Sequence, residues 1–333
     1  MNRNVNRDLS LDILRVLACL MVFGVHLGQH VKIPGIIGVF FSKGSTGVSF
    51  FFILSGYLAY VSLERLHNKY TSDTKVMVVF WIKKILRILP LYYLVIIFYI
   101  VFFHFVGTVP ADDTNLYWFR YLLFVNSFIR SDHVFWTNLG AVWSVSCFFF
   151  FYLICPLCYK MIRSYWMGWI AVIASYGLLK YIDSNDIYNL PLRWLFYFFL
   201  GILIFLACRE HKEIHMVSIL LFVSLFCVLT NYGTAIISSL IAAVFILCTR
   251  IVDTGYKQNI IGRCIGFISM ISYSIYLIHA VVIEVMDIVG NLQGIAYTVV
   301  LIACTSFLSV LSYLGIEKRM GSYLIKKTIG TTK

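Results

Sequence analysis

The chain has 333 residues, of which 61% are hydrophobic and only 13% are charged. A mean hydropathy of +0.87 excludes a soluble globular protein, and apolar runs of about twenty residues predict an all-α, polytopic integral membrane protein with about ten spans. The net charge of +12 would suit nucleic acid, but the basic residues are spread between the apolar runs, so no nucleic-acid partner is expected.

Ten apolar segments are predicted to cross the membrane as helices. Most of the 27 Lys and Arg residues lie in connecting segments on the same side as the N-terminus, so the positive-inside rule places both termini in the cytoplasm. The first segment is predicted to stay in the membrane, because Asp8 and Asp12 interrupt it and no small-residue cleavage site follows. The predicted spans are residues 9–29, 44–63, 86–107, 138–158, 166–181, 191–208, 215–231, 233–250, 265–286 and 294–316.

The chain, 1–333, is predicted to be a single membrane-embedded domain. The longest stretches between spans, about 64–85 and 108–137, leave no room for a separate soluble domain. The nine cysteines fall almost entirely inside the spans, where a thiol behaves as a small apolar group. Cys155 and Cys158 have a spacing typical of metal ligands, but a second ligand pair is lacking, so no metal site is predicted.

The first span contains an arginine and a histidine. Such residues in a membrane helix cost roughly 2.5–3.5 kcal/mol on insertion scales, so a functional role is the default interpretation. Arg15 and His26 are separated by three helical turns, which gives an angular offset of about 20° and a rise of about 16 Å. They therefore share one helix face at different depths, which suits a donor held near one membrane surface and chemistry further in.

The residue types suggest separate roles. A neutral imidazole, with a reference pKa of about 6.5, can accept a proton from a hydroxyl, so His26 is the candidate general base. Arg15 keeps its charge, and its planar fork suits phosphate or carboxylate, although Asp12 one turn earlier could pair with it instead. His30 is a second, weaker candidate base. His279 in the ninth span either lines the same cavity or is structural, and a lone membrane histidine more often satisfies a helix contact than it catalyses.

A basic cluster is predicted at the cytoplasmic mouth of the third span. It consists of Lys83, Lys84 and Arg87, and Pro90 follows as a point where the helix could kink. Such a cluster can bind anionic lipid headgroups or a polyanionic substrate, and charge alone favours lipid.

Three other segments mix aromatic residues with small or polar ones. Gly47–Leu58 interrupts a phenylalanine run with small residues, a pattern that close helix packing explains. Leu116–Phe128 is predicted to be interfacial or re-entrant. Val142–Pro156 places Trp143 and Ser146 at the outer end of a span, where aromatic residues usually act as anchors. The candidate cavity-lining residues are Asp12, His30, Ser55, Trp143, Ser146, Tyr152 and His279.

Five motifs, in this order, resemble the acyltransferase 3 family of integral membrane acyltransferases. They are LDILRVLACLMVFGVH from Leu11, GVSFFFILSGYL from Gly47, KKILRILPLYY from Lys83, VWSVSCFFFFYLICP from Val142 and ISYSIYLIHA from Ile271. The first, an arginine and a histidine separated by ten residues, is moderately specific alone. The five motifs in this order are specific together, and they cover essentially the whole chain.

The resemblance implies transfer of an acyl group, most often acetyl, from cytoplasmic acyl-CoA to an acceptor at or beyond the outer face. Acceptors in the family are commonly sugar hydroxyls of surface polysaccharides, peptidoglycan or lipid-linked glycans in bacteria, which implies the cytoplasmic (inner) membrane. On this interpretation Arg15, Lys84 and Arg87 bind the phosphates of acetyl-CoA, and His26 acts on the acceptor. The periplasmic hydrolase-like domain of some members is absent, so a second step would need an extracytoplasmic partner protein.

Two positions depart from the family pattern. Phe148 stands where the family often has a glutamate, which casts doubt on any mechanism that needs this carboxylate, and Lys84 stands where arginine is usual. Whether His26 only activates the hydroxyl or is transiently acylated stays open. Two other classes also remain. A flippase or exporter of glycan intermediates would line its passage with the same charges, and a purely structural protein would make no use of Arg15.

Overall fold

The computed structural model describes residues 9–106, 120–128, 142–184, 191–230, 233–251, 260–290 and 292–320. The regular structure of these residues is entirely helical, which confirms the predicted all-α class. A 3₁₀ turn, Pro191–Trp194, precedes the α-helix that begins at Leu195, and a π-helical segment, Tyr313–Met320, follows the one that ends at Ser312. The α-helices are α1 (Leu9–His30), α2 (Gly35–Ser42), α3 (Thr46–His67), α4 (Asp73–Val106), α5 (Trp143–Met161), α6 (Tyr165–Ser184), α7 (Leu195–Arg209), α8 (Glu213–Leu229), α9 (Thr234–Ile251), α10 (Ile260–Val289) and α11 (Gly294–Ser312).

Seven helical segments in the described part of the chain are long and apolar enough to cross a membrane. The remaining predicted spans coincide with α6, α8 and α9. A multi-span helical architecture is therefore confirmed, whereas ten crossings stay a prediction. The seven segments are Leu9–His30, Thr46–His67, Asp73–Phe102, Trp143–Met161, Pro191–Arg209, Ile260–Val289 and Gly294–Arg319.

One predicted boundary moves substantially. The sequence places the start of the third span at residue 86, but α4 begins at Asp73, where the Ser72 hydroxyl accepts the Lys75 backbone N–H at 3.4 Å. This is the N-cap geometry that starts a helix, and neither glycine nor proline interrupts the helix before Pro90. The 34 residues of α4 extend about 51 Å, more than the roughly 30 Å hydrocarbon core of a bilayer. The basic cluster consequently lies inside a continuous helix and not at its start.

The chain forms two compact units, each built from discontinuous segments. The first unit comprises Met1–Ser62, Leu157–Asp186 and Leu192–Ser272. The second unit comprises Leu63–Pro156, Ile187–Pro191 and Tyr273–Lys333.

The core of the first unit depends on glycines that let helix backbones approach closely. A Cβ added to Gly56 of α3 would lie 2.0 Å from the Phe198 carbonyl oxygen, and one added to Gly201 of α7 would lie 2.0 Å from that of Ile53. Phe52 packs on Phe198 beside this contact, with ring centroids 4.7 Å apart. The packing role predicted for the small residues of the second span is thus confirmed, because no larger side chain fits between these helices.

The described part of the second unit includes a short segment, residues 120–128, that packs against α4 and α5. The Tyr92 hydroxyl donates to the Tyr121 carbonyl at 2.7 Å, and the Phe124 ring stacks on Phe149 with centroids 4.4 Å apart. At its other end, Ser127 donates to the Trp143 carbonyl at 2.7 Å. These residues form a turn that is held by side-chain contacts. The rest of the predicted interfacial or re-entrant stretch, 116–119, lies outside the described residues.

Candidate active site

Helix α1 carries both residues of the first-span motif. Arg15 and His26 lie on one uninterrupted helix of 22 residues, so the separation of about 16 Å along the axis and the shared face predicted from their spacing hold. Both side chains are half-buried. The helix therefore presents a permanent cation and an imidazole at two depths within the first unit.

The Arg15 guanidinium is held by a serine and an aspartate. Its Nη1 donates to Ser269 Oγ at 2.8 Å, and the Ser269 hydroxyl in turn donates to Asp12 Oδ1 at 2.5 Å. Arg15 Nη1 also lies 3.4 Å from that same carboxylate oxygen. Asp12 is 5% exposed and Ser269 is 0% exposed. Burying a charge is energetically tolerable only when the charge is paired and hydrogen-bonded, and this network meets both conditions.

Sequence reasoning identified Asp12 as a partner of Arg15 but missed Ser269. The serine belongs to α10 and is separated from Arg15 by 254 positions in the chain. The sequence gives little reason to single it out, because it is one of several serines on α10 and lies two positions before the motif that begins at Ile271. The network fixes the direction of the guanidinium, since Ser269 touches both the cation and the acid that balances it.

His26 is positioned by neighbours on its own helix. The side chains of Gln29 and His30 both lie close enough to the imidazole to interact with it. Gln29 also lines a cavity of about 260 Å³ between α1 and α2, together with Gly24 and Gly28. Sequence reasoning missed Gln29, although a polar residue three positions after a candidate base is a usable signal. Gln29 is therefore placed to restrain the imidazole ring.

The basic cluster of the second unit has an aromatic setting. Lys84 Nζ lies 4.5 Å from the centroid of the Tyr152 ring and 5.4 Å from that of Phe80. Trp81 Nε1–H donates to the Tyr152 carbonyl at 3.1 Å, which ties α4 to α5. Lys84, Trp81 and Tyr152 share in lining a cavity of about 130 Å³. The faces of these rings thus contribute to holding the ammonium.

Arg87 takes part in a polar cluster that the sequence did not predict. It interacts electrostatically with Glu317 of the π-helical segment and with Tyr273 of α10. The Ser274 hydroxyl donates to Glu317, and the Tyr273 hydroxyl donates to the Ile88 carbonyl at 2.9 Å. A carboxylate of the second unit therefore comes from the C-terminal segment. The position where the family often has glutamate, Phe148, instead packs its ring over Tyr152.

His279 lies in a separate buried cluster of the second unit. The residue is 1% exposed, and its Nδ1 lies 3.0 Å from the Ile275 carbonyl. Its ring neighbours Tyr276, whose hydroxyl shares a 2.8 Å hydrogen bond with that of Ser144. A contact within its own helix accounts for Nδ1, and both the cavity-lining and the structural role of His279 stay predictions.

The remaining candidate cavity-lining residues occupy varied environments. Ser55 is half-buried on α3, and His30 is exposed in the last turn of α1. Ser146 is fully buried and donates its hydroxyl to Asn126, and Trp143 accepts the Ser127 hydroxyl through its carbonyl. Their predicted part in a cavity stays a prediction. Among the described residues, no group of three or more His, Cys, Asp or Glu is placed to hold a metal ion.

Comparisons with known proteins agree with the motifs. The model of the acyltransferase 3 family, described as an acyltransferase domain, matches residues 8–314. A protein of Acidianus two-tailed virus, ORF330, which carries the provisional name of an acetyltransferase, is 26% identical over 315 residues. That match covers 87% of this chain and 88% of the viral protein. No solved structure matches the chain significantly.

Proposed function

Because the chain belongs to the acyltransferase 3 family, we propose that it moves an acetyl group from acetyl-CoA to a hydroxyl of a cell-surface or lipid-linked glycan. The observation that carries the proposal is the arrangement on α1, where a restrained guanidinium and an imidazole share one helix face. The similarity to the viral protein named as an acetyltransferase supports acetyl as the group transferred.

The donor is an anion, and the proposed contacts are cations. Arg15, Lys84 and Arg87 bind the phosphates of acetyl-CoA, since guanidinium and ammonium groups are the usual protein partners of phosphate. Asp12 and Ser269 orient Arg15 and keep its charge tolerable in the membrane. Arg15 is the strongest of the three contacts, because its direction is fixed before the donor arrives.

His26 carries the chemistry. A ring nitrogen accepts the proton of the acceptor hydroxyl while the hydroxyl oxygen attacks the thioester carbonyl, forming the new C–O bond. The C–S bond then breaks, the CoA sulfur leaves as a thiolate, and it takes the proton back from His26. In the alternative route His26 attacks the thioester, becomes acetylated and passes the group to the acceptor. Gln29 orients the ring in both routes.

The proposed setting is a bacterial cytoplasmic membrane, with ten crossings and both termini in the cytoplasm. The clustering of Lys and Arg between alternate apolar segments supports this topology. Acetyl-CoA is made in the cytoplasm and the acceptor lies at or beyond the outer face, so the acetyl group must cross. Helix α1 carries the acetyl-CoA contact, Arg15, and the base, His26, at different depths, which suits transfer of the acetyl group across the membrane. An extracytoplasmic partner protein acts on the product where a second step is needed.

The experiment that tests the function compares surface glycans by mass analysis. Cells carrying the gene are compared with cells lacking it and with cells carrying His26→Ala. Acetylation adds C₂H₂O, about 42 Da, to each modified hydroxyl. This mass increase is expected only in cells that carry the intact gene. Altered export of unmodified glycan, with no acetylation in any strain, would instead show a flippase or exporter.

A further inference from the structure

The first unit carries a concentrated basic patch where two pairs of helices meet. We define the basic patch as Lys160 at the end of α5, Arg163 in the segment before α6, Arg209 at the end of α7 and Lys212 in the turn before α8. Trp166, in the first turn of α6, lies beside them and is 58% exposed. Neither the first-span motif nor the second unit's basic cluster includes any of these residues.

Glu210 holds the basic patch together. Its Oε1 accepts the Tyr165 backbone N–H at 2.8 Å and lies 3.6 Å from Arg209 Nη2, while its Oε2 lies 3.4 Å from Lys212 Nζ. Arg209 Nη2 also donates to the Arg163 carbonyl. The turn between α7 and α8 is thereby fixed against the start of α6. The patch is a built feature of this unit, because one carboxylate organises both connecting segments.

Aromatic rings extend the basic patch toward an apolar surface. Lys212 Nζ lies 5.0 Å from the centroid of the Tyr165 ring and 5.4 Å from that of Trp166. Met161 and Ile214, next to the patch in the chain, are both largely exposed. Exposed tryptophan, aliphatic side chains and cations together are the signature of the boundary between headgroups and acyl chains. A surface for a soluble anion needs no such apolar border.

The charges favour an anionic ligand. The patch has four cations, whereas Glu210 and Glu213 are the two carboxylates in the adjoining chain positions, so a positive excess remains. Both connecting segments lie on the side predicted to be cytoplasmic, where anionic lipids attract basic residues. We propose that the basic patch binds the headgroup phosphate of an anionic phospholipid, with Trp166, Met161 and Ile214 against the upper acyl chain. This proposal rests on the predicted topology and goes beyond acyl transfer.

The test measures lipid binding to the full-length purified protein by native mass spectrometry. Short-chain phosphatidylglycerol is titrated against phosphatidylcholine, and tighter binding of phosphatidylglycerol, by about tenfold, is expected. In Arg163→Gln/Lys212→Gln, phosphatidylglycerol binding should fall about fivefold for each charge removed, thus about twenty-fivefold. The charge-preserving Arg163→Lys/Lys212→Arg variant should bind within threefold of wild type.

A matched control removes two cations elsewhere. Lys69→Gln/Lys75→Gln makes the same charge change beside Tyr70, whose ring both lysines contact, and should weaken phosphatidylglycerol binding less than twofold. Equal losses in both double variants would overturn the proposal, as would equal affinity for the two lipids. Competition by millimolar inorganic phosphate would also overturn it, since the site would then bind a soluble anion. If the double variant does not accumulate, Lys212→Gln alone carries the test with a fivefold loss, and a loss below twofold contradicts the proposal.

Discussion

The two basic sites differ in how the protein holds their cations. In the first unit Arg15 contacts the buried Ser269 hydroxyl at 2.8 Å and the buried Asp12 carboxylate at 3.4 Å. In the second unit Lys84 sits on aromatic rings, 4.5 Å from the nearer centroid. An ion pair in a buried site is costly to break, whereas a cation on an aromatic face contributes about 0.5–2 kcal/mol. We therefore expect Arg15 to be the more rigidly held cation and Lys84 the more adaptable one, and substitutions should separate them.

The largest effect is expected from Arg15→Ala. The substitution removes a charged hydrogen-bonding group from the proposed acetyl-CoA site, which should weaken acetyl-CoA binding by about a hundredfold. It also leaves the Asp12 carboxylate buried without its cation, at a cost of about 3–5 kcal/mol of stability. Donor binding is measured by isothermal titration and stability by thermal unfolding in the same detergent.

A double variant separates these two consequences of losing Arg15. Asp12→Asn/Arg15→Ala removes the stranded charge, so thermal stability should largely recover while donor binding stays weak. Recovery of both properties together would show that Arg15 serves only the folded structure and makes no contact with the donor.

Ser269→Ala should have the next largest effect. The substitution removes the hydroxyl that links Arg15 to Asp12, and a hydrogen bond to a charged group contributes about 1.5–3 kcal/mol. We expect acetyl-CoA binding to weaken about tenfold, with partial rescue by Ser269→Thr, which keeps the hydroxyl. Ser272→Ala is the control, since its hydroxyl donates only to a main-chain carbonyl at 2.9 Å. Equal losses for Ser269→Ala and Ser272→Ala would contradict a positioning role.

Arg87→Ala tests whether the second unit's cluster binds the donor. The expected loss of acetyl-CoA affinity is about fivefold, and raising the salt concentration should weaken wild-type binding further, because ions screen charges beyond about 8 Å at physiological ionic strength. The matched control is Lys83→Ala, which removes a neighbouring cation of the same helix. If Arg87→Ala binds the donor as wild type does at every salt concentration, the cluster is a lipid anchor.

The smallest effect is expected from the aromatic support of Lys84. Tyr152→Leu removes the ring face under the ammonium and should weaken donor binding about twofold to fivefold. Tyr152→Phe keeps the ring and should leave binding unchanged. A larger loss in Tyr152→Leu than in Ser269→Ala would reverse the proposed order of rigid and adaptable sites.

The sequence predicted the features that depend on local pattern. Apolar runs located the helices, and the spacing of Arg15 and His26 gave their shared face on α1, because both follow from helical periodicity alone. The start of α4 was misplaced, since Lys83 and Lys84 interrupt the apolar run just before residue 86, whereas the helix continues through these charged residues from Asp73. Helical propensity and a serine cap decide where a helix starts, and hydropathy reports only its apolar part.

Contacts between distant segments could not be predicted. Ser269 meets Arg15 across 254 positions, and Glu317 meets Ser274 through a π-helical segment whose register no periodicity reveals. In an apolar helix nearly every face looks alike, so the sequence does not show which serine of α10 faces α1. Gln29 is a different case, because a residue one turn from His26 could have been proposed from spacing alone.

The central claim is that His26 performs the chemistry while the cations bind acetyl-CoA. The most direct test measures acetyl-CoA binding and acetyl transfer on the same preparations of wild type and His26→Ala. The account predicts donor affinity within twofold of wild type and transfer reduced at least a hundredfold, because loss of the base removes the reaction and not the phosphate contacts. Transfer by His26→Ala within tenfold of wild type would contradict it.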